Sequence, residues 1–370
     1  MPLINPEELA RLTDLVLAAS FVLSALAGAL IHRGHFCTMG AISDWVLMRD
    51  ATRLRQWALA MATAILGFGA MSWAGWVSPL QTIYASSQLS WLSAVVGGAL
   101  FGIGMVMASG CSSKSLVRLG AGNLKSLVVL MAMAVVAMAS MRGLTAVWRV
   151  NHLDPVSWDL VHGPFVGQWV SAFWGLSLPQ GMGLSAWVVA TVLLVWVVRE
   201  RSFNTASNWF TGAGLGLLVV CMWWVSGVLG FVPEHPETLD PVFLTTHSAR
   251  MEAMSFTAPV AYWMDAFMYF SDGTKRLTLG MASALGVLFG ACVSALTQGS
   301  FRWEGFTHRA DLVQHLLGGS LMGLGGVLAM GCTFGQGLSG MSTLSLGSFL
   351  AVLGIFAGSF SALQWQMRQS

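Results

Sequence analysis

Charged residues are scarce in this chain of 370 residues: Asp, Glu, Lys and Arg together make up only 9%, against roughly a quarter in a soluble domain. Hydrophobic residues make up 55%. The polar surface is therefore too small to cover a globule, which excludes a soluble enzyme and a disordered chain. The 18 basic and 16 acidic residues leave a net charge of only +2 without a basic stripe, which excludes a nucleic-acid-binding protein. The composition predicts an integral membrane protein in a lipid bilayer.

Several motifs are missing as well. The five cysteines are an odd number, which is not typical of a disulfide framework. The ATP-binding pattern Gly-x-x-x-x-Gly-Lys-[Ser/Thr] does not occur, so we expect no cofactor and no ATP-driven step in this chain. The Met-rich run 131–141 contains no His or Cys at ligand spacing, so no metal site is predicted. We find no secretory signal or lipidation motif, and we expect the apolar run 15–31 to be the first membrane span.

Long apolar segments dominate what is present. A spanning helix needs about 20 apolar residues, and nine segments fit. A shorter stretch at 256–270 contains Pro259 and Asp265 and predicts a partly inserted or interfacial helix. We therefore predict an all-α polytopic membrane protein, with one membrane domain over 1–370 and about nine transmembrane helices plus short re-entrant helices. The predicted spans are 13–31, 56–77, 90–109, 123–141, 183–198, 208–231, 277–297, 312–330 and 343–364.

Basic residues set the expected orientation. Most of them follow odd-numbered spans, which places those loops in the cytoplasm. The N-terminus is then outside and the C-terminus cytoplasmic. Arg142, Arg149 and Arg250 do not fit this pattern.

One segment occurs twice. Residues 97–111 and 318–332 align without a gap, and nine of the 15 positions are identical, including the final Gly110-Cys111 and Gly331-Cys332. In the nine-span arrangement the two copies run in opposite directions, which predicts an inverted repeat, typical of transporters. The halves would cover about 15–141 and 208–365, joined by 142–207. The glycines alone are equally compatible with helix-packing grooves.

A third cysteine interrupts the first helical region. Cys37 follows the polar residues His32, Arg33 and His35, which disfavours a continuous span and suggests a re-entrant turn toward the same pore. A plain cytoplasmic loop with a free cysteine is the alternative. Cys221 and Cys292 lie inside apolar runs, and we expect them to act only in packing.

The segments Arg33-Gly-His-Phe-Cys37, Gly110-Cys111 and Gly331-Cys332-Thr-Phe-Gly335-Gln-Gly337 resemble the YeeE/YedE family of membrane proteins, which take up sulfur-containing ions, thiosulfate above all. The resemblance implies a compact helical fold that narrows to a central constriction in the bacterial inner membrane. It also implies that the three motif cysteines relay thiosulfate and that a TusA-like sulfur-carrier protein can act on the cytoplasmic side. The segment 142–182 matches no family motif, which leaves the substrate subgroup open.

Thiosulfate carries one soft terminal sulfur and three oxygens, and weak donors in sequence would let it enter and leave. We therefore expect protonated thiols at Cys37, Cys111 and Cys332, since a thiolate would repel the anion. Nearby glycines would allow close backbone approach, and nearby polar and basic side chains would attract the anion or, alternatively, serve only as positive-inside anchors. The glycines are Gly110, Gly331, Gly335 and Gly337, and the accessory residues are Arg33, His35, Lys114 and Arg118.

Other functions remain open at this point. A membrane thiol sulfurtransferase would form a persulfide on one reactive cysteine. A transporter of a selenium species would share the same motifs. A purely structural membrane protein would tolerate loss of all three motif cysteines.

Overall fold

The computed structural model describes residues 5–236, 239–273 and 276–369. Helices make up most of this part of the chain, and its only sheets are two antiparallel strand pairs. Gln88–Leu89 (β1) pairs with Trp158–Asp159 (β2), and Phe231–Val232 (β3) pairs with Val242–Phe243 (β4). The helices are α1 Pro6–Arg33, α2 Thr38–Ser43, α3 Thr52–Trp73, α4 Trp91–Met107, α5 Ser112–Gly120, α6 Leu124–Arg142, α7 Leu144–His152, α8 Val166–Trp174, α9 Leu178–Val198, α10 Ala206–Trp224, α11 Thr257–Met268, α12 Leu279–Thr297, α13 Arg309–Leu328 and α14 Leu346–Gln369.

Seven helical segments in the described residues are long and apolar enough to cross a bilayer, which confirms the prediction of an all-α polytopic membrane protein. Helices α3 and α13, of 22 and 20 residues, have sufficient length too, so the count of nine spans stays a prediction. The seven segments are Pro6–Met48, Trp91–Gly120, Leu124–Arg142, Leu178–Val198, Ala206–Leu229, Leu279–Thr297 and Leu346–Arg368.

Helices α4 and α13, which contain the two copies of the repeated segment, cross each other in antiparallel orientation. Glycines allow the two backbones to touch: a Cβ added at Gly104 would lie 2.6 Å from the carbonyl oxygen of Gly318, and one at Gly97 would lie 2.5 Å from the Ala329 nitrogen. These glycines therefore serve helix packing, as in membrane proteins generally.

The helix pairs around this crossing resemble each other. Helix α1 packs on α12 and α10 packs on α3, while α14 packs on α4 and α6 packs on α13. In each case the two helices come from different predicted halves, and exchanging the halves turns the α1–α12 pair into the α10–α3 pair and the α4–α14 pair into the α13–α6 pair. The inverted repeat itself stays a prediction.

Short helices occupy the remaining predicted positions. Helix α11, with 12 residues, is about 18 Å long at 1.5 Å per residue, too short to cross the bilayer. It lies where we expected a partly inserted helix. The segment 142–182, which matches no family motif, contains α7, β2, α8 and the beginning of α9. It reaches the N-terminal ends of α4 and α14 through the β1–β2 pair and a bridge from Phe165 to Ser345.

Candidate functional site

Each of the three motif cysteines follows a turn of the same type. The residue two positions before each of them has a left-handed backbone although it is not glycine, which costs roughly 1–2 kcal/mol. A strained conformation persists only where its surroundings enforce it, and it is more frequent at functional sites. These residues are His35 with φ of 49°, Ser109 with 56° and Met330 with 54°.

A short helix follows each cysteine: α2 after Cys37, α5 after Cys111 and a π-helix at Gly335–Gly340 after Cys332. Cys37 Sγ accepts a hydrogen bond from the Gly40 backbone N–H at 3.4 Å, and Cys332 Sγ accepts one from the Gly335 N–H at 3.4 Å. Cys111 Sγ instead lies 3.2 Å from Ser113 Oγ. Cys111 and Cys332 are buried and Cys37 is half-buried, and all five cysteines are free thiols.

Two of these cysteines lie at one end of the α4–α13 crossing. Cys37 lies close enough to Cys111 for the two thiols to interact electrostatically. The ammonium group of Lys114 and the guanidinium of Arg118 also interact electrostatically with Cys37. Arg118 also fixes the Cys111 turn, since its Nη1 donates to the Ser109 carbonyl at 2.9 Å.

Cys332 lies at the other end of the crossing, beside Tyr84. The Tyr84 hydroxyl donates to the Gly335 carbonyl at 2.6 Å. Along α4, Gly97 packs on Ala329 near the Cys332 turn. Eleven residues later, Ala108, next to the Cys111 turn, packs on Gly318. At 1.5 Å per residue this separates the two ends by about 16 Å. The structure therefore brings Cys37 and Cys111 together, with Cys332 at a distance.

A cationic cavity of about 340 Å³ adjoins the Cys37–Cys111 end. Three accessory residues predicted from the sequence line it, together with two basic residues that sequence reasoning missed. His32 is one of the polar residues that precede Cys37, whereas Arg302 lies far along the chain and outside every motif. Arg33 is absent from the lining: its guanidinium reaches Thr297 Oγ1 at 3.5 Å on the exposed surface. The lining residues are His32, His35, Lys114, Val117, Arg118, Ala121, Asn123, Ser300, Arg302 and Glu304.

A second cavity, of about 410 Å³, adjoins the Cys332 turn. Among the described residues, the charged ones in its lining are Arg149 and Asp154, and they neutralise each other, with Nε and Oδ2 3.2 Å apart. Asp154 also accepts a hydrogen bond from Ser93 at 2.7 Å. Most other polar groups here are hydroxyls and amides, from residues such as Tyr84, Ser90, Gln336 and Ser348. The segment without a family motif thus supplies the charged pair of this cavity.

The four predicted glycines have different surroundings. A Cβ added at Gly110 would lie 3.3 Å from Lys114 Cγ, and one at Gly331 would lie 3.2 Å from Gln336 Cγ. At Gly335 the space is taken by the Ser255 hydroxyl, and at Gly337 by the Trp57 ring. Packing is therefore sufficient to account for Gly335 and Gly337.

Gln336 connects the Cys332 turn to its neighbours. Its Nε2 donates to the Ala329 carbonyl at 2.5 Å, and its Oε1 accepts from Ser348 Oγ at 2.6 Å. The amide therefore holds the turn between α13 and α14. Within the described residues, no group of three His, Cys, Asp or Glu side chains is arranged to hold a metal ion.

The fold and these two cavities define a class: a polytopic α-helical membrane protein whose helices are interrupted at polar, cysteine-containing turns. Comparison with known proteins makes the class specific. A family model described as sulphur transport matches residues 33–361. The chain belongs to this family, which confirms the resemblance to YeeE/YedE proteins.

Two curated relatives are named thiosulfate transporter TsuA. The protein from Escherichia coli K12 is 26% identical over 93% of this chain and 94% of its own length. The protein from Spirochaeta thermophila is 26% identical over 91% of this chain and 94% of its own length. The comparisons therefore group the chain with transporters and not with enzymes.

Proposed function

We propose that this protein takes up thiosulfate through a path along the α4–α13 crossing, with the thiols of Cys37, Cys111 and Cys332 as successive contacts. The observation that carries the proposal is the turn these three cysteines share. Each follows a left-handed residue at a helix break, whereas Cys221 and Cys292 lie inside the regular helices α10 and α12. The names of the two relatives support thiosulfate as the substrate.

The chemistry of the thiols suits this role. A protonated thiol is a weak hydrogen-bond donor and is polarizable, which matches the soft terminal sulfur of thiosulfate. Weak binding at several sites allows an ion to enter and also to leave. In this proposal the anion enters the 410 Å³ cavity, passes Cys332, and reaches Cys111 and Cys37 at the cationic end.

The cationic cavity gives the proposed path its direction. In the nine-span arrangement it faces the cytoplasm of a bacterial inner membrane, as the positive-inside rule requires. A TusA-like carrier on that side would remove the delivered sulfur, which would draw further thiosulfate inward. Because the chain itself has no ATP-binding motif, uptake would follow a gradient or this removal.

Uptake of radiolabelled thiosulfate tests the proposal, in cells that lack other importers and use thiosulfate as sole sulfur source. Cys37→Ala, Cys111→Ala and Cys332→Ala should each abolish uptake. Cys221→Ala and Cys292→Ala, at half-buried cysteines, are matched controls that should keep it. Equal behaviour of all five variants would refute the proposal, and a stable persulfide on one motif cysteine after exposure to thiosulfate would favour sulfurtransferase chemistry.

A further inference from the structure

A hydroxyl residue follows each motif cysteine: Thr38, Ser112 and Thr333. Two of these hydroxyls are in an unusual position. Ser112 is 0% exposed and Thr333 is 2% exposed, and neither side-chain oxygen has a hydrogen-bond partner among the described residues. A buried polar group without a partner costs about 1–3 kcal/mol, and native structures retain few of them.

Neighbouring hydroxyls do have partners. Thr38 Oγ1 accepts from Trp57 Nε1 at 3.1 Å, and Ser113 Oγ lies 3.2 Å from Cys111 Sγ. Ser339 Oγ, on the Cys332 side, donates to the Met254 carbonyl at 2.7 Å. The surroundings of both turns can therefore satisfy hydroxyl groups. Ser112 and Thr333 are left without a partner directly beside the two buried thiols.

We propose that Ser112 and Thr333 donate hydrogen bonds to the oxygen atoms of the transported anion while the thiols of Cys111 and Cys332 contact its terminal sulfur. This inference rests on the proposed function. Adjacent residues have Cα atoms 3.8 Å apart, which is close enough for the thiol and the hydroxyl of one turn to contact the same small ion. Thiosulfate has the matching shape, with a soft sulfur bonded directly to the sulfur that carries three oxygens.

A thiol and a hydroxyl side by side select for an anion that has both a terminal sulfur and oxygen atoms. A site that hydrogen-bonds a substrate rejects analogues without the bonding group, because its own buried polar group then stays unpaired. Sulfide has no oxygen to accept from Ser112 or Thr333, and sulfate has no terminal sulfur for the thiols. Both donors are uncharged, so the anion is recognised without an ion pair that would hold it.

Binding and stability measured on the same full-length protein test the inference. In lipid nanodiscs, Ser112→Ala and Thr333→Val should each raise the Kd for thiosulfate at least about tenfold, since hydrogen bonds to charged groups are the stronger ones. Their melting temperatures should be unchanged or higher, because an unpartnered hydroxyl has been removed. Thr333→Ser, which retains the hydroxyl, should bind like the wild type.

Two matched controls lie elsewhere in the structure. Ser283 and Thr257 are 0% and 1% exposed and also have no hydrogen-bond partner in the described residues, but Ala282 and Phe256 precede them instead of a cysteine. Ser283→Ala and Thr257→Val should therefore keep the wild-type Kd.

The outcomes separate this inference from the proposed function. Wild-type Kd in Ser112→Ala and Thr333→Val, together with lost binding in Cys111→Ala and Cys332→Ala, would overturn the inference alone. An equal loss of binding in the control variants would overturn it as well, since the hydroxyls would then act only through packing. A wild-type protein that does not bind thiosulfate would overturn the proposed function and this inference with it.

Discussion

The two cavities beside the motif cysteines differ in charge far more than in size. At the Cys332 end, Arg149 and Asp154 neutralise each other, and the other polar lining groups are uncharged. At the Cys37–Cys111 end, the described lining contains several basic residues and one acidic residue, Glu304. A divalent anion would therefore meet weak, neutral donors at one end and a positive potential at the other. Under the proposed function, this difference would avoid a tight binding site at the Cys332 end and still favour movement of the anion toward the cationic end.

Removing positive charge from the cationic cavity would reduce the difference in charge between the two cavities, and it should have the largest effect on thiosulfate uptake. Lys114 lies near both thiols, so Lys114→Gln should lower the initial rate of thiosulfate uptake about tenfold or more at low substrate concentration, given the strength of charge interactions away from bulk water. Arg33→Gln is the control, because Arg33 is exposed and outside the cavity. Its effect should stay within about twofold, as for surface charges generally. Equal effects of the two variants would show that the cavity has no special role.

Changing the charged pair of the other cavity should have smaller effects of opposite sign. Asp154→Asn frees the charge of Arg149 and should lower the KM for thiosulfate several-fold. Arg149→Gln leaves Asp154 unpaired and should raise the KM by a similar factor. The double variant restores a neutral cavity and should return close to the wild-type KM, and a uniform loss of activity in all three variants would contradict this account.

Substitutions of two predicted glycines distinguish a position where glycine is required for helix packing from one where it is not. Gly337→Ala would place a methyl group in the Trp57 ring, and overpacking of this kind costs about 1–3 kcal/mol. We expect a lower melting temperature for Gly337→Ala. Gly110→Ala should change it little, because Lys114 Cγ, at 3.3 Å, is the nearest atom and belongs to a flexible side chain. If Gly110→Ala destabilises the protein as much as Gly337→Ala, the packing account of Gly337 loses its basis.

Glu252 lies near Tyr84 at the Cys332 end. Substituting it should have the smallest effect of these changes, on the pH dependence of stability. Burial raises the pKa of Glu252, against the hydrogen bonds that its carboxylate accepts from His247 and Ser248. Folding then favours the protonated form. The contribution of Glu252 to stability is therefore fully present below the ordinary pKa of about 4.3 and is lost as the pH rises through the raised pKa.

Glu252→Gln should remove this dependence. Its melting temperature should equal that of the wild type in acid and exceed it at neutral pH, by a few degrees. A melting-temperature difference that does not change with pH would contradict the raised pKa.

Local sequence patterns predicted much of the fold and part of the site. Apolar length predicted the spanning helices, and Pro259 and Asp265 correctly marked 256–270 as a shorter helix. The Gly-Cys motifs predicted helix breaks because glycine and polar residues disfavour a continuous span, and the structure has a turn at each. These features depend on residues close together in the chain.

The relative positions of the cysteines and the lining of the cavities depend on packing between distant parts of the chain, so the sequence could not predict them. The glycine contacts between α4 and α13 separate Cys332 from Cys111, and the position of α1 brings Cys37 next to Cys111. Arg302 joins the cationic cavity through the segment after α12, and Arg149 reaches the other cavity through the segment 142–182. Neither basic residue lies in a motif, so only the folded arrangement reveals it.

Crystallography with selenosulfate, in which selenium replaces the terminal sulfur of thiosulfate, tests the central claim most directly. The account predicts anomalous selenium density beside the sulfur of Cys332 and beside Cys111 and Cys37. Selenium density confined to other parts of the molecule, with these three thiols free of ligand, would contradict a path along the motif cysteines.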